Sequence, residues 1–183
     1  LGARLAPDNQ WRFPPPDSIP KKFALCLLTY EDRDFYDHLG IDFSSVIRAA
    51  WQNLRRGKVV SGASTITMQV MRMAGNQPER TFARKFLEMI QATRAEWRFD
   101  KDEILNLYAS HAPFGGNVVG LDAASWRYYR KPAHALTWAE SAALAVLPNA
   151  PGLIYPGRNS DALLQKRDHL LKALNQEGYL DDL

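Results

Sequence analysis

The chain has 183 residues, of which 46% are hydrophobic, and a formal net charge of +3. This length and composition predict one folded domain over residues 1–183 with a sizeable core, and they exclude a disordered chain. The single cysteine, Cys26, lies in an apolar run, so it is expected to be a buried hydrophobe, and both a disulfide framework and a metal–thiolate site are excluded.

No apolar run approaches the ~20 residues that span a bilayer. The sequence begins at Leu1 without a methionine or a signal-like segment. We therefore expect an excised domain or a mature fragment of a longer protein, with any membrane anchor outside this sequence.

The first half of the chain alternates proline- or glycine-rich segments with helical patterns. Residues 1–20 are rich in proline and predict an extended lead-in that wraps the surface. From Asp42, the predicted N-cap, apolar residues recur at helical spacing and predict an amphipathic helix closed by Gly57. Residues 55–63 are basic and contain glycine, which predicts a mobile loop before a helix capped by Ser64.

Two further helices follow in the middle of the chain. Thr81 is a suitable cap for a long helix that runs to about Trp97. Asp100 and Glu103 form a capping-box pattern that opens another helix, predicted to reach Tyr108.

The last third is also helical after a turn-rich connection at residues 110–120. A short helix follows it, and Thr137 with Glu140 forms a second capping box, so Glu140 is predicted to be a cap rather than a catalyst. Ser160 starts a last helix that ends near Gly178. Since no alternating strand or repeat occurs, the sequence predicts a mainly α fold with at most a small β element, and two lobes around a cleft are compatible with its length.

A block of charged and aromatic residues from Glu31 to Gly40 directly follows the apolar run Phe23–Leu28. Charge at the edge of a core suits an acid or base catalyst, because partial burial raises the proton affinity of a carboxylate. We expect Phe35 and the apolar run to give Glu31 a raised pKa. His38 is expected to hold the turn after Glu31 rather than to act as a second base.

A second carboxylate, Glu88, shares a helix face with Arg84 and Lys85, and Arg80 lies one turn earlier. One interpretation is an intrahelical ion-pair network worth ~0.2–0.5 kcal/mol per pair. The other is a cationic site that receives a pyrophosphate leaving group, directly or through a divalent ion shared with Glu88.

The segment Ser61–Gln69 combines small residues and hydroxyls with a helix start. Free amides and hydroxyls at such a start can bind phosphate oxygens. The alternative is that Ser64 simply caps the helix.

Four segments resemble, in order, the motifs of glycosyltransferase family 51, the peptidoglycan transglycosylase domain of bacterial class A penicillin-binding proteins. The family motifs EDxxFxxHxG, GGSTITQQ, RKxxE and KxxILxxYLN are matched by Glu31–Gly40, Gly62–Gln69, Arg84–Glu88 and Lys101–Tyr108. Residues near 5–12 and 112–117 most resemble the penicillin-binding protein 1C subgroup. The chain departs from the family pattern at Ala63, Met68, Arg72, Ala109 and Ser110.

The resemblance implies a lysozyme-like, two-lobed helical domain that polymerises lipid II into glycan strands. The reaction inverts the anomeric centre and releases undecaprenyl pyrophosphate. Glu31 is implied as the general base, and Glu88 is implied as the second catalytic carboxylate. The residues implied to bind the donor and its pyrophosphate are Ser64, Thr65, Gln69, Arg72, Arg80, Arg84 and Lys85.

The resemblance also implies partners and a location. The partners are lipid II, the growing glycan strand, the membrane surface and, in a full-length protein, a transpeptidase domain. A phosphoglycolipid inhibitor of the moenomycin type is also expected to bind. The expected location is the periplasmic face of the bacterial cytoplasmic membrane. The sequence requires no cofactor, and any Mg²⁺ is expected to be bridged through substrate, because no His or Cys ligand spacing occurs.

A membrane contact is predicted from apolar residues beside basic ones. This predicted patch comprises Trp51, Leu54, Val59 and Val60 with Arg55, Arg56 and Lys58. The competing interpretation is that Trp51 packs in the core.

Three other functions stay open. One is a lysozyme-like enzyme that cleaves glycans. The cationic residues around Glu88 argue against it, because cleavage of a neutral glycan bond releases no pyrophosphate. Another is a non-catalytic module that binds lipid precursor or membrane. A nucleic-acid binder ranks last, because the charge is nearly balanced and no binding motif occurs.

Overall fold

The computed structural model describes residues 9–14, 18–57, 64–75, 81–149 and 159–180. Eight α-helices and two short 3₁₀ turns form within these residues, and no sheet does, which confirms the mainly α prediction. The helices are α1 (Lys21–Glu31), α2 (Phe43–Arg56), α3 (Ile66–Ala74), α4 (Phe82–Glu96), α5 (Lys101–His111), α6 (Leu121–Tyr129), α7 (Trp138–Val146) and α8 (Ser160–Gln176). No helix in the described ranges has the length and apolar content needed to cross a bilayer.

The chain divides into two compact units. Unit 1 comprises residues 1–30 and 105–183, and unit 2 comprises residues 31–104. Unit 2 is therefore an insertion between two segments that fold together as unit 1.

Unit 1 is built around α7, whose residues Ser141–Val146 are all buried. The predicted capping box is confirmed: the Thr137 side chain accepts a hydrogen bond from the Glu140 amide, and the Glu140 carboxylate accepts one from the Thr137 amide. This capping box starts α7. The small apolar residues of α7 let α8 pack closely against it. Cys26 is buried as predicted, and this burial raises the pKa of its thiol to about 12.

The small β element in unit 1 consists of isolated bridges. Trp11 donates its amide hydrogen to Asn117 O at 2.7 Å, and its own carbonyl accepts from Val119 N at 2.9 Å. The described part of the lead-in, residues 9–14, thus lies beside the turn-rich connection.

Unit 2 contains α2, α3 and α4, each started by a side-chain cap. Asp42 and Thr81 are caps as predicted, but the cap of α3 is Thr65, so the prediction for Ser64 is wrong. The reason is geometric, since Thr65 places its hydroxyl 3.2 Å from Met68 N, three residues on. Gly57 ends α2 with φ of 60°.

Two other boundaries differ from the sequence prediction. Arg55 and Arg56 are the last residues of α2 rather than part of a loop, and residues 58–63 lie outside the described ranges. The helix opened by the Asp100–Glu103 capping box continues beyond Tyr108 to His111.

Candidate active site

Glu31 is the last residue of α1 and is partly buried. Its Oε2 accepts a hydrogen bond of 2.7 Å from Gln69 Nε2 on α3. The carboxylate therefore stands at the end of a helix, oriented by a neutral amide donor on a second helix.

The loop after Glu31 is fixed by Asp32, which is 7% exposed. One Asp32 oxygen lies 2.9 Å from His38 Nε2, and the other accepts a hydrogen bond of 2.9 Å from Ile66 N at the start of α3. His38 thus contacts Asp32, the carboxylate next to Glu31, as its expected structural role requires. Phe35 is fully buried in the same loop, where its ring meets those of Tyr36 and His38 edge-on.

Glu88 lies in a second cluster with cationic partners. Arg72 Nε donates to Glu88 Oε1 at 3.1 Å, and Arg72 Nη2 donates to Oε2 at 3.3 Å. Ser64 Oγ accepts hydrogen bonds from Lys85 Nζ and, at 3.4 Å, from Arg72 Nη2. The side chains of Glu88 and Arg72 are 16% and 32% exposed, so the pair sits at the protein surface without being fully solvated.

Helix α3 connects the two clusters, because Gln69 contacts Glu31 and Arg72 contacts Glu88. Residues three apart lie on one face of a helix, separated by roughly 4.5 Å along its axis. The two carboxylates are thus bound to side chains within one turn of the same helix. Both clusters lie within unit 2.

The remaining predicted residues are placed as follows. The buried Thr65 donates its hydroxyl hydrogen to Gly40 O at 2.7 Å, so its side chain serves the cap and the loop. Arg84 is partly buried, and among the described residues no group binds its guanidinium. Met68 is fully buried, and Arg80 lies outside the described ranges.

The described residues contain no group of three His, Cys, Asp or Glu that could hold a metal ion. In the Glu88 cluster, the one carboxylate already accepts hydrogen bonds from Arg72 through both oxygens. This donor set does not fit a protein-held Mg²⁺, which needs several oxygen ligands.

Sequence reasoning missed a third group of contacts in unit 2. Lys101 Nζ lies 2.7 Å from Glu96 Oε2 and donates to His38 O at 2.7 Å. Glu96 and Lys101 are five residues apart, on two different helices, so no helical spacing rule pairs them. The signal in the sequence was that Lys101 falls in the motif-like segment Lys101–Tyr108, but this segment gave no partner.

Comparison with known proteins identifies one family whose members match most of this chain. A family model described as Transglycosylase matches residues 3–175. The chain is 41% identical over 172 residues to penicillin-binding protein 1C of Escherichia coli (strain K12), which covers 93% of this chain and 22% of that protein. It is 39% identical over 163 residues to penicillin-binding protein 1A of Pseudomonas aeruginosa, covering 89% of this chain and 20% of that protein.

A third relative is penicillin-binding protein 4 of Bacillus subtilis (strain 168). The identity is 36% over 183 residues, covering 100% of this chain and 29% of that protein. The chain thus spans less than a third of the length of these relatives.

Proposed function

This chain belongs to the transglycosylase family of class A penicillin-binding proteins, and we propose that it is a peptidoglycan glycosyltransferase that polymerises lipid II into glycan strands. The observation that carries the proposal is the position of Gln69 and Arg72 on α3. The reaction needs a base on one side of the anomeric carbon and a cationic site for the leaving group on the other side. Gln69 and Arg72 lie one helical turn apart, so one can orient the base while the other contributes to the cationic site.

In the proposed reaction, Glu31 removes the proton from an acceptor sugar hydroxyl as its oxygen attacks the anomeric carbon of the donor. A new carbon–oxygen bond forms, and the bond from the anomeric carbon to the pyrophosphate breaks. Because attack and departure occur on opposite faces, the anomeric configuration inverts. The hydrogen bond from Gln69 supports this role, since it fixes the orientation of the Glu31 carboxylate.

The departing undecaprenyl pyrophosphate needs positive charge where its own negative charge develops. Lys85 and Arg72 both donate to Ser64 Oγ, which brings two cations to one hydroxyl. Arg84 lies next to Lys85 on α4, and we include it among the cations that receive the pyrophosphate. The role of Glu88 is to orient Arg72 through both of its oxygens, and Arg80 stays a predicted member of this site.

The lysozyme-like alternative requires a second carboxyl group that donates a proton to the leaving oxygen. Both oxygens of Glu88 accept hydrogen bonds from Arg72, so neither is presented as an O–H donor. This geometry favours transfer from a pyrophosphate over hydrolysis.

The proposal includes a membrane contact, which suits a lipid-linked donor at the periplasmic face of the cytoplasmic membrane. One face of α2 exposes Phe43 (66%), Ile47 (70%), Trp51 (66%) and Leu54 (79%), and Arg55 and Arg56 follow. Soluble proteins seldom expose a continuous apolar stripe of this kind, whereas interfacial helices do. The interpretation of Trp51 as a core residue is wrong, and Lys58, Val59 and Val60 lie outside the described ranges.

The test is polymer formation from lipid II by the wild type and by Glu31→Gln. Glutamine keeps the size of the side chain but cannot accept a proton, so kcat is expected to fall by about 10²–10⁴-fold. Asp168→Asn, the same chemical change at an ion-paired surface position on α8, should keep wild-type kcat. An active Glu31→Gln enzyme would refute the assigned base, and binding of lipid II without turnover by the wild type would favour the non-catalytic module.

The family resemblance also predicts that a phosphoglycolipid of the moenomycin type competes with the donor. Any Mg²⁺ in the reaction is proposed to be held by substrate oxygens. Turnover in the presence of EDTA measures that requirement directly.

A further inference from the structure

A buried ionic cluster lies in unit 2 beside the proposed catalytic residues. The Lys101 cluster, as we name it, comprises Thr67, Glu96, Lys101 and the main-chain oxygen of His38. Glu96 Oε1 accepts hydrogen bonds from Thr67 Oγ1 at 2.6 Å and from Lys101 Nζ at 2.8 Å. The Glu96 side chain is 3% exposed, the Lys101 side chain is 18% exposed, and Thr67 is fully buried.

Each member of the Lys101 cluster belongs to a different segment of the site. His38 lies in the loop that follows Glu31, and Thr67 lies in α3 two residues before Gln69. Glu96 is the last residue of α4, the helix that carries Glu88, and Lys101 is the first residue of α5. Lys101 Nζ also lies 4.4 Å from the centroid of the Phe35 ring, which adds a cation–π contact to the same loop.

A contribution to stability does not by itself explain why these charged groups are buried. Removing a carboxylate and an ammonium from water costs several kcal/mol per ion, and well-packed apolar residues of similar volume are often as stable. A buried ion pair can instead fix relative positions, because its hydrogen bonds are directional and hold the bonded atoms in one arrangement. Here the fixed atoms belong to the loop that begins directly after Glu31 and to α3, the helix whose Gln69 donates a hydrogen bond to Glu31.

We propose that Thr67, Glu96 and Lys101 are positioning residues that hold the loop after Glu31 in register with α3, so that Gln69 orients the proposed base. The inference rests on the proposed function, and it assigns these residues no contact with substrate. A displacement of a reacting group by about 1 Å can reduce a rate by about 10²-fold. Loosening the Lys101 cluster should therefore lower kcat while leaving KM nearly unchanged, since the pyrophosphate-binding side chains stay in place.

The first experiment compares Thr67→Val with Thr93→Val in lipid II polymerisation. Both changes replace a hydroxyl by a methyl group of similar size in unit 2. Among the described residues, however, the Thr93 hydroxyl donates only within α4, to Met89 O at 3.2 Å. We expect kcat of Thr67→Val to fall about 10- to 100-fold, with KM within about threefold of the wild-type value. Thr93→Val should retain wild-type kcat, and Thr67→Ser, which keeps the hydroxyl, should recover most of the loss.

The second experiment replaces the cation. Lys101→Arg keeps the charge and should retain more activity than Lys101→Met, which leaves Glu96 buried without its ammonium partner. Circular dichroism melting fixes a temperature at which every variant is folded, so that loss of folded protein does not enter kcat. If Lys101→Met does not fold, Thr67→Val and Thr67→Ser decide the question.

The outcomes separate the two proposals. If the wild type makes no polymer, the proposed function fails and the inference fails with it. If the wild type makes polymer and folded Thr67→Val matches Thr93→Val in kcat, the positioning role alone is refuted. A rise in KM with constant kcat would also refute it, because that result indicates substrate binding rather than alignment of the base.

Discussion

At the scale of single residues, Gly40 shows how tightly the loop after Glu31 packs on α4. Its φ is +82°, and a Cβ atom built at this position would lie 2.7 Å from Ala92 C and 2.8 Å from Ala92 O. Both the conformation and the space therefore require glycine. The Gly40 carbonyl also accepts the Thr65 hydroxyl hydrogen, so the same residue links the loop to the cap of α3.

Gly40→Ala is expected to lower the free energy of unfolding by more than about 2 kcal/mol, because a left-handed alanine alone costs roughly 1–2 kcal/mol and the overlap with Ala92 adds to it. Gly57→Ala is the matched control. Gly57 also has a positive φ, of 60°, but a Cβ atom there would meet nothing within 4 Å. Urea denaturation should show the smaller loss for Gly57→Ala, and equal losses would mean that the loop moves away from α4 at no cost.

Asp42, the cap of α2, makes a pH-dependent contribution to the free energy of unfolding. Burial raises the pKa of this carboxyl group, but hydrogen bonds from Ser45 and Ser44 and the nearby charge of His38 lower it more, so that it falls from 3.8 to about 2. Because the pKa in the folded protein lies below the unfolded value, the charged cap stabilises the fold above about pH 4. This contribution is lost as the pH falls through about 2.

Asp42→Asn and Asp42→Ala separate the charge of this cap from its hydrogen bond. At pH 7, Asp42→Ala should cost about 1 kcal/mol of unfolding free energy, and Asp42→Asn should cost less, because asparagine is also a good N-cap. The advantage of the wild type over Asp42→Asn should shrink between pH 4 and pH 2 in urea denaturation. A pH-independent difference would contradict the lowered pKa of Asp42.

At the scale of elements, α2 and α3 resemble each other in sequence character but differ in what they bury. Both begin with a side-chain cap and carry apolar residues at helical spacing. In α3 the residues Ile66, Met68 and Val70 are buried, whereas the apolar stripe of α2 is exposed. One helix therefore carries side chains of the candidate site from a packed position, and the other leaves its apolar side chains exposed.

The membrane contact that we propose for α2 predicts that Ile47→Glu weakens binding to anionic phosphatidylglycerol vesicles by at least about tenfold, since burying an isoleucine side chain is worth about 1.5–3 kcal/mol. Gln52→Glu adds the same charge to an exposed position off the apolar stripe. It should change the vesicle partition coefficient, measured by co-sedimentation, by no more than about twofold. Equal effects of the two variants would show that net charge, rather than the apolar stripe, governs binding.

At the scale of the whole molecule, the described residues of the candidate site all belong to unit 2, the inserted segment. The two segments of unit 1 are joined by contacts distant in sequence, such as the hydrogen bond of 3.1 Å from Thr29 Oγ1 to Glu177 Oε2. Unit 1 also contains α7, in which residues Ser141–Val146 are all buried. We therefore expect that a substitution in the core of unit 1 affects stability more than it affects the chemistry proposed for unit 2.

Leu144→Ala tests this separation. Leu144 is fully buried in α7, so its truncation should cost about 2–5 kcal/mol of unfolding free energy. At a temperature where the variant is still folded, kcat for polymerisation should stay within about threefold of the wild-type value. A tenfold loss of kcat in the folded variant would show that the packing of α7 controls the proposed site.

The sequence by itself determined what depends on residues close together in the chain. The caps at Asp42, Thr81, Asp100 and Thr137 follow from side chains that reach amides three residues away, so they could be identified without a fold. The family, and with it the candidate residues, followed from four ordered motifs, and the family was confirmed by the comparisons.

Only the tertiary structure decided which of these residues meet. Gln69 and Glu31 are 38 positions apart, and Thr67 and Glu96 are 29 apart, so their hydrogen bonds exist only because the fold brings residues distant in the chain together. The same holds for α2, because periodicity identifies an apolar face but not whether another element covers it. Contacts of this kind depend on the closure of long chain segments, for which no local pattern in the sequence is specific.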